Sequence, residues 1–317
     1  MKFADVKNDI AFRKIFGNAK KSITLVSFLN AVLELEGLRS IKSVTFINPY
    51  LLPRLSEEKS SIVDVRATDQ KGRRFVVEMQ VANKKGFKQR AQYYASRDYS
   101  MQINSGEEYH KLRPTYFVGI LDFAISKGYD YLSKHTTIEE ETGENVLGDI
   151  KFAFIQLTKF KKKESELVTM KDKWTYFIKN AESLKMIPEY VVDEGLLTAF
   201  READKHTWTK EELIAYDNSK IREQDVRGEL EFAREEAKEE GKMEGIKEGI
   251  KEGIKEGIKE GIKEGIKEGI KEGIKEGIKE MIIKPYINGK TAEQISGFLD
   301  LPLDKVNQII NEYKQGS

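Results

Sequence analysis

Residues 245–280 are nine perfect copies of the tetrapeptide Gly-Ile-Lys-Glu, a low-complexity run rather than a packed repeat domain. On a helix, each tetrapeptide advances about 40° beyond a full turn, so the isoleucines spiral around the axis instead of forming a fixed apolar stripe. That drift excludes a heptad coiled coil. Each glutamate precedes a lysine by three residues, which favours a helix, while every glycine costs it about 1 kcal/mol relative to alanine. The pattern predicts a marginal helix of roughly 54 Å or a frayed spacer, and association along a right-handed seam is a further option.

A folded core must therefore come from the flanks. Hydrophobic residues make up 39% of the 317, enough for a sizeable core. Lys plus Arg is 54 and Asp plus Glu is 53, so net charge identifies no partner and a nucleic-acid reading must rest on local basic patches. There is no cysteine, which excludes disulfides, thiolate metal sites and cysteine nucleophiles. The start, MKFADVKNDIAF, is charged throughout, and no apolar run approaches the roughly 18 residues of a membrane span. The expectation is a cytoplasmic protein with no membrane partner.

Residues 1–35 read as two helices: Val6, Ile10, Phe12 and Phe16 recur near helical spacing, Gly17 is a stop, and SITLVSFLNAVLEL follows. Strands are expected at 41–52, closed by Pro53 before the charged loop 54–60, and at 60–68, 73–81, 114–123 and 149–160. A polar helix rich in Arg, Gln and Tyr is expected at 86–105. The fold class is α/β, a small mixed sheet flanked by helices, followed by an all-helical C-terminal region. The expected divisions are a first domain at 1–165, a helical extension at 166–225, a charged helix and repeat spacer at 226–280, and a small helical tail at 281–317.

The segment DVRATDQKGRRFVVEMQ, residues 64–80, carries the chemistry. A three-residue loop Gln70–Lys71–Gly72, with Gly72 left-handed, is a common hairpin closure. That register pairs Asp69 with Arg73 and sets Asp64 opposite Glu78. Cross-strand β-carbons lie about 5 Å apart, so two carboxylates would stand side by side, with Gln80 on the same face. Adjacent carboxylates repel unless a cation lies between them. An oxygen-rich site without cysteine selects Mg²⁺ or Mn²⁺. Gln80 cannot act as a base near neutral pH, but its amide can orient a water or a phosphate oxygen. Acidic residues on the wet face of a hairpin are also ordinary, and the hairpin alone leaves that alternative open.

The pattern D-x13-E-x-Q after a strand resembles the PD-(D/E)XK nuclease core, with Gln in the usual Lys place. Three blocks in order, KNDIAFRKIFG, SSIVDVRATDQKGRRFVVEMQ and QRAQYYASRDYSMQINSGEEYHKLRPTYFVGILDF, are similar to the Rpn family of bacterial recombination-promoting nucleases and transposases. The resemblance covers roughly residues 1–160. It implies a divalent-metal-dependent DNA endonuclease linked to recombination or phage defence. It also implies Asp64 and Glu78 as metal ligands, Gln80 at the Lys position, and Asp9 as the first-helix acid that often completes such sites. Compensation of the helix dipole explains Asp9 equally well. The departure at Gln80 shifts water activation toward the ion. A non-catalytic DNA-binding or self-associating protein that keeps the nuclease fold is the alternative.

Lys84, Lys85, Lys88 and Arg90 cluster at the start of the helix that follows the catalytic strand, where amide groups and cations suit phosphate. Arg90, Tyr94 and Arg97 share one helix face and, with Lys85 and Lys88, are the candidate DNA contacts; Tyr93 is expected to pack inward. A solvated basic face is the alternative. His110, His135 and His206 stand apart in the sequence and are given no metal role.

In the tail, Thr291 is a helix N-cap, and Ile295, Phe298, Leu299, Leu301, Val306, Ile309 and Ile310 are a candidate core. The segment is weakly similar to a helix-turn-helix, and an oligomerisation or regulatory module fits as well. A homodimer or higher homo-oligomer is expected. In the Rpn family a short product from an internal start can restrain the full protein, and Met243 or Met281 would serve here.

Overall fold

The computed structural model describes residues 1–51, 61–128 and 130–316, so Pro53 and the charged run 54–60 lie outside the described residues. The chain divides into two compact units, Met1–Arg227 and Gly228–Ser317.

The first unit begins with helices α1 (Asp9–Phe16) and α2 (Ile23–Leu33). Asn8 caps α1 by accepting from the amides of Ile10 and Ala11, and Gly17 closes it by donating to the Arg13 carbonyl. Strands β1 (Val44–Phe46), β2 (Tyr50–Leu51), β3 (Ser61–Ile62), β4 (Val65–Asp69) and β5 (Arg74–Gln80) follow. Then come α3 (Phe87–Ser100), β6 (Thr115–Leu121), β7 (Leu132–His135) and β8 (Ile150–Gln156). Helices α4 (Met170–Asn180), α5 (Glu194–Ala203) and the start of α6 (Lys210–Ile287) complete the unit.

Six strands form one mixed sheet in the order β1-β4-β5-β6-β8-β7, and β2 pairs with β3 apart from it. β5, β6 and β8 run parallel, with α3 as the crossover between the first two. The single strand expected over 41–52 is two strands, because Pro49 has no N–H for the ladder and the chain changes partner there. The strand expected over 60–68 is likewise broken, at Val63 and Asp64. Strand β7 carried no sequence signal.

Alternation along the strands sorts the two faces. Val65, Ala67, Phe75, Val77, Met79, Val118, Ile120 and Ile155 face one core with Phe12, Phe16, Phe28, Trp174, Phe177 and Phe200. The segment after residue 165 therefore contributes aromatic residues to the same core as the sheet. Val76, Phe117, Leu121 and Phe154 face the other core, beneath Phe87, Ala91 and Ala95 of α3.

A buried ion pair fixes α3 on that second face. Arg66 on β4 donates to Asp98 Oδ1 through Nε at 2.9 Å and Nη2 at 2.6 Å, and through Nη1 to the Asn48 carbonyl at 2.6 Å. Both side chains are at most 5% exposed.

In the second unit α6 continues through the whole repeat array as helix. Helices α7 (Ala292–Leu299) and α8 (Leu303–Gly316) pack on its last turns through Ile282, Ile295, Val306, Ile309 and Ile310. Thr291 caps α7 in a reciprocal box with Gln294. Phe298, expected in this core, is 79% exposed, with Lys290 over its ring. It sits three residues after Ile295 but on the outer side of α7, while Ile282 of α6 is part of the core. No helix among the described residues is long and apolar enough to cross a membrane.

Removing one partner of the Arg66–Asp98 pair strands a buried charge. Asp98→Ala is expected to destabilise the first unit by about 3–5 kcal/mol, whereas Arg66→Met with Asp98→Leu recovers most of that loss. Urea unfolding followed by tryptophan fluorescence reads this directly, since both tryptophans, Trp174 and Trp208, are buried in the first unit.

Candidate active site

The β4–β5 hairpin has the register its turn dictates. Val65 pairs with Val77 and Thr68 with Arg74, while the Asp69 amide donates to the Arg73 carbonyl at 3.0 Å. Gly72 is left-handed at φ 79°, and a Cβ there would meet Arg113 Cγ at 3.2 Å. Asp69 tightens the turn by accepting from the amides of Lys71 and Arg73, both at 2.9 Å, and pairing with the Arg73 guanidinium. Extending this register by one pair puts Asp64, just before β4, across from Glu78.

The two carboxylates interact. Burial pushes the Glu78 carboxyl well above its usual range, and the neighbouring Asp64 charge pushes it further. Asp64 is held at both oxygens: Oδ2 accepts from the Met79 amide at 2.9 Å, and Oδ1 from Arg13 Nη2 at 3.0 Å and Nε at 3.2 Å. Arg13 and Arg90 each partly offset the shift at Glu78. Gln80 accepts from Arg90 of α3 at its carbonyl oxygen and donates from Nε2 to the Met79 carbonyl at 3.0 Å. The face that holds Asp64, Glu78 and Gln80 is the one that α3 covers.

Asp9 is engaged by its own helix and by α6. It accepts from the Ile10 amide at 2.8 Å and from the Ser219 hydroxyl of α6, one turn before Arg13 on the same helix. Among the described residues, no group of three or more His, Asp or Glu is placed to hold a metal ion. The ligands that geometry offers are thus the pair Asp64 and Glu78. Two carboxylates with no nitrogen or sulfur donor fit a hard divalent cation, which commonly takes one or two carboxylates and completes its shell with water and phosphate oxygens.

Lys85 and Lys88 are exposed at the start of α3, and Arg90 is half-buried against Gln80. Tyr94 is half-buried against the second core. Tyr93, expected to pack inward, is instead 41% exposed and accepts from Arg97 Nη1 at 2.8 Å. The ring that α3 turns toward the sheet is Tyr94, because it follows Ala91 by three residues on the buried side.

Two charged residues central to this arrangement, Arg13 and Arg66, were not assigned roles from sequence. Arg66 carried a signal: a charged residue inside an apolar strand, on the face opposite Val65 and Ala67.

The family model for PD-(D/E)XK nuclease family transposases matches residues 6–233. The chain belongs to this family. No curated protein and no solved structure gives a significant match. The matched span takes in the sheet, α1 to α5 and the first turns of α6, so the PD-(D/E)XK nuclease fold accounts for the mixed sheet and its flanking helices. Nucleases of this superfamily generally use divalent metal ions.

The raised Glu78 carboxyl has a consequence for stability. Without metal, the folded chain keeps a proton that the unfolded chain releases near the ordinary value of 4.5. Stability is therefore present below that value and falls as pH rises toward the raised folded one. In EDTA, the thermal midpoint of the wild type is expected to drop through this window more steeply than that of Glu78→Gln.

Proposed function

We propose that this chain is a divalent-metal-dependent DNA endonuclease that hydrolyses phosphodiester bonds, with Mg²⁺ or Mn²⁺ held by Asp64 and Glu78. The observation that carries the reading is the pair of enclosed carboxylates on adjacent strands, one of them pushed up by its burial and by the other. Such a pair is costly to an isolated protein and is relieved by a cation. When bound, the ion would polarise a phosphodiester oxygen and lower the pKa of an attacking water.

The chain's own residues do the rest. Asp64 is aimed by the Met79 amide, so its orientation does not depend on the ion. Gln80 occupies the Lys position and holds Arg90 toward the site. Arg90 supplies fixed positive charge where a lysine would otherwise stand. Exposed Lys85 and Lys88, beside the first amides of α3, supply phosphate contacts that set the register of the duplex. Tyr94 supports this surface from below, and Arg97, tied to Tyr93, extends it along the helix.

Supercoiled-plasmid nicking tests the chemistry. Cleavage is expected with Mg²⁺ or Mn²⁺, none with EDTA, and a fall of at least about a hundredfold in Asp64→Ala. Cleavage that survives that substitution sinks the assignment. Retained DNA binding without cleavage under any ion favours a non-catalytic DNA-binding protein, a reading that the engaged Gln80 amide also supports.

The surface has its own test. Replacing Lys85 and Lys88 together with glutamine is expected to weaken DNA binding in Ca²⁺ similarly across sequences. The slope of log affinity against log salt should fall by about 2, close to 0.9 per lost phosphate contact. An unchanged slope places the DNA elsewhere.

A further inference from the structure

Arg13 sits on the carboxylate that the proposed ion would use. Its guanidinium spans Asp64 Oδ1 with two donors, Nη2 at 3.0 Å and Nε at 3.2 Å. Its charge also reaches Glu78, where it opposes the upward shift. Arg13 is thus an internal countercharge that both candidate ligands share, alongside Arg90 at Glu78. The two partners of this contact differ in freedom. The Asp64 side chain is 8% exposed and fixed from behind by the Met79 amide, whereas that of Arg13 is 47% exposed.

The backbone at Arg13 is firm. Its carbonyl accepts from the Gly17 amide at the end of α1. The helix is tied to α6 by Asn8 donating to Ser219 and Glu223 at 3.0 Å each, and by Lys14 pairing with Glu212 at 2.5 Å. Only the side chain is left free to move, on a long stem with an exposed flank.

A divalent cation and a guanidinium compete for the same oxygen. Two like charges cannot both sit on Asp64 Oδ1 without repulsion, and the ion brings twice the charge to two carboxylates at once. A released guanidinium carries a planar fork of donors matched to phosphate.

We propose that Arg13 is a displaceable internal cation. It occupies Asp64 in the metal-free protein, gives way to the divalent ion, and then binds a backbone phosphate of the DNA that arrives with it. The proposal rests on the reading of Asp64 and Glu78 as ion ligands. Removal of Arg13 then strengthens ion binding and weakens DNA binding, the opposite of a supporting role for both.

The test is Mn²⁺ titration calorimetry on the full-length chain without DNA, comparing wild type, Arg13→Gln, Arg13→Lys and Asp64→Ala. A half-exposed ion pair contributes up to about 1 kcal/mol, so Arg13→Gln is expected to bind Mn²⁺ up to about fivefold more tightly, with Arg13→Lys between it and the wild type. DNA affinity measured in saturating Ca²⁺ should fall in Arg13→Gln. Mn²⁺ affinity that is unchanged or lower in Arg13→Gln overturns the proposal while Asp64-dependent binding keeps the ligand reading. Wild-type binding that Asp64→Ala leaves untouched overturns both. Thermal unfolding in EDTA and in Mn²⁺ guards against misfolding: Arg13→Gln should gain more midpoint from Mn²⁺ than the wild type does, and an equal or smaller gain counts against displacement.

Discussion

The buried pair Arg66–Asp98 decides where everything on the α3 face stands. Taking two charges out of water costs several kcal/mol per ion, and this pair offsets it with short, multiple hydrogen bonds, including one to the Asn48 carbonyl. Asp98 lies near the end of α3 and Arg90 near its start, two turns apart on one rigid helix. Pinning Asp98 to β4 therefore sets the height at which Arg90 meets Gln80 on β5. An apolar pair would hold the helix as firmly but would tolerate sliding. The directional fork of Arg66 does not, and a site built from long side chains needs that register.

Charge on the other flank is arranged by a different logic. Asp64 and Glu78 are brought together by hairpin register alone, which has no means of relieving their repulsion. Relief comes from α1, whose Arg13 reaches Asp64, and α1 in turn is held by the early turns of α6 through Asn8, Asp9 and Lys14. Asp9 belongs to this clamp, which explains why an acid at the first helical position faces Ser219 and leaves the carboxylate pair to Arg13. The candidate site is thus bounded by two helices, each delivering one arginine, over a hairpin that delivers the carboxylates.

How legible each part was in the sequence follows from the range of the forces that set it. The hairpin was readable because Gly72, the three-residue loop and two-residue alternation are local and jointly fix the register from Asp69–Arg73 back to Asp64. The fold class followed from helix and strand patterns of the same kind. The Arg66–Asp98 pair spans 32 residues and leaves only a strand charge as its trace. The Arg13–Asp64 contact spans 51 and leaves none, since an arginine in the last turn of a helix is already explained by the dipole. Tyr93 and Tyr94 show the limit of helical phase: neighbours 100° apart are both plausible at the edge of a buried face, and only the position of Ala91 and Ala95 over the sheet decides.

The repeat array obeys the same geometry that made it unpromising as a core. A tetrad position drifts about 40° per repeat, so it remains on an apolar face some 100° wide for about three successive members. The three members that pack against α7 and α8 are Ile278, Ile282 and Tyr286, spaced by four. One belongs to the last Gly-Ile-Lys-Glu unit, and two follow it. One tetrad earlier, Ile274 is 58% exposed, as the drift requires. The array therefore stays helical through Glu–Lys spacing and the continuity of α6, while the small core at its end uses the pattern only for as long as it stays in phase. Adding or removing whole repeats leaves that terminal triplet unchanged, because the phase of the packing face is counted from its own end of the helix.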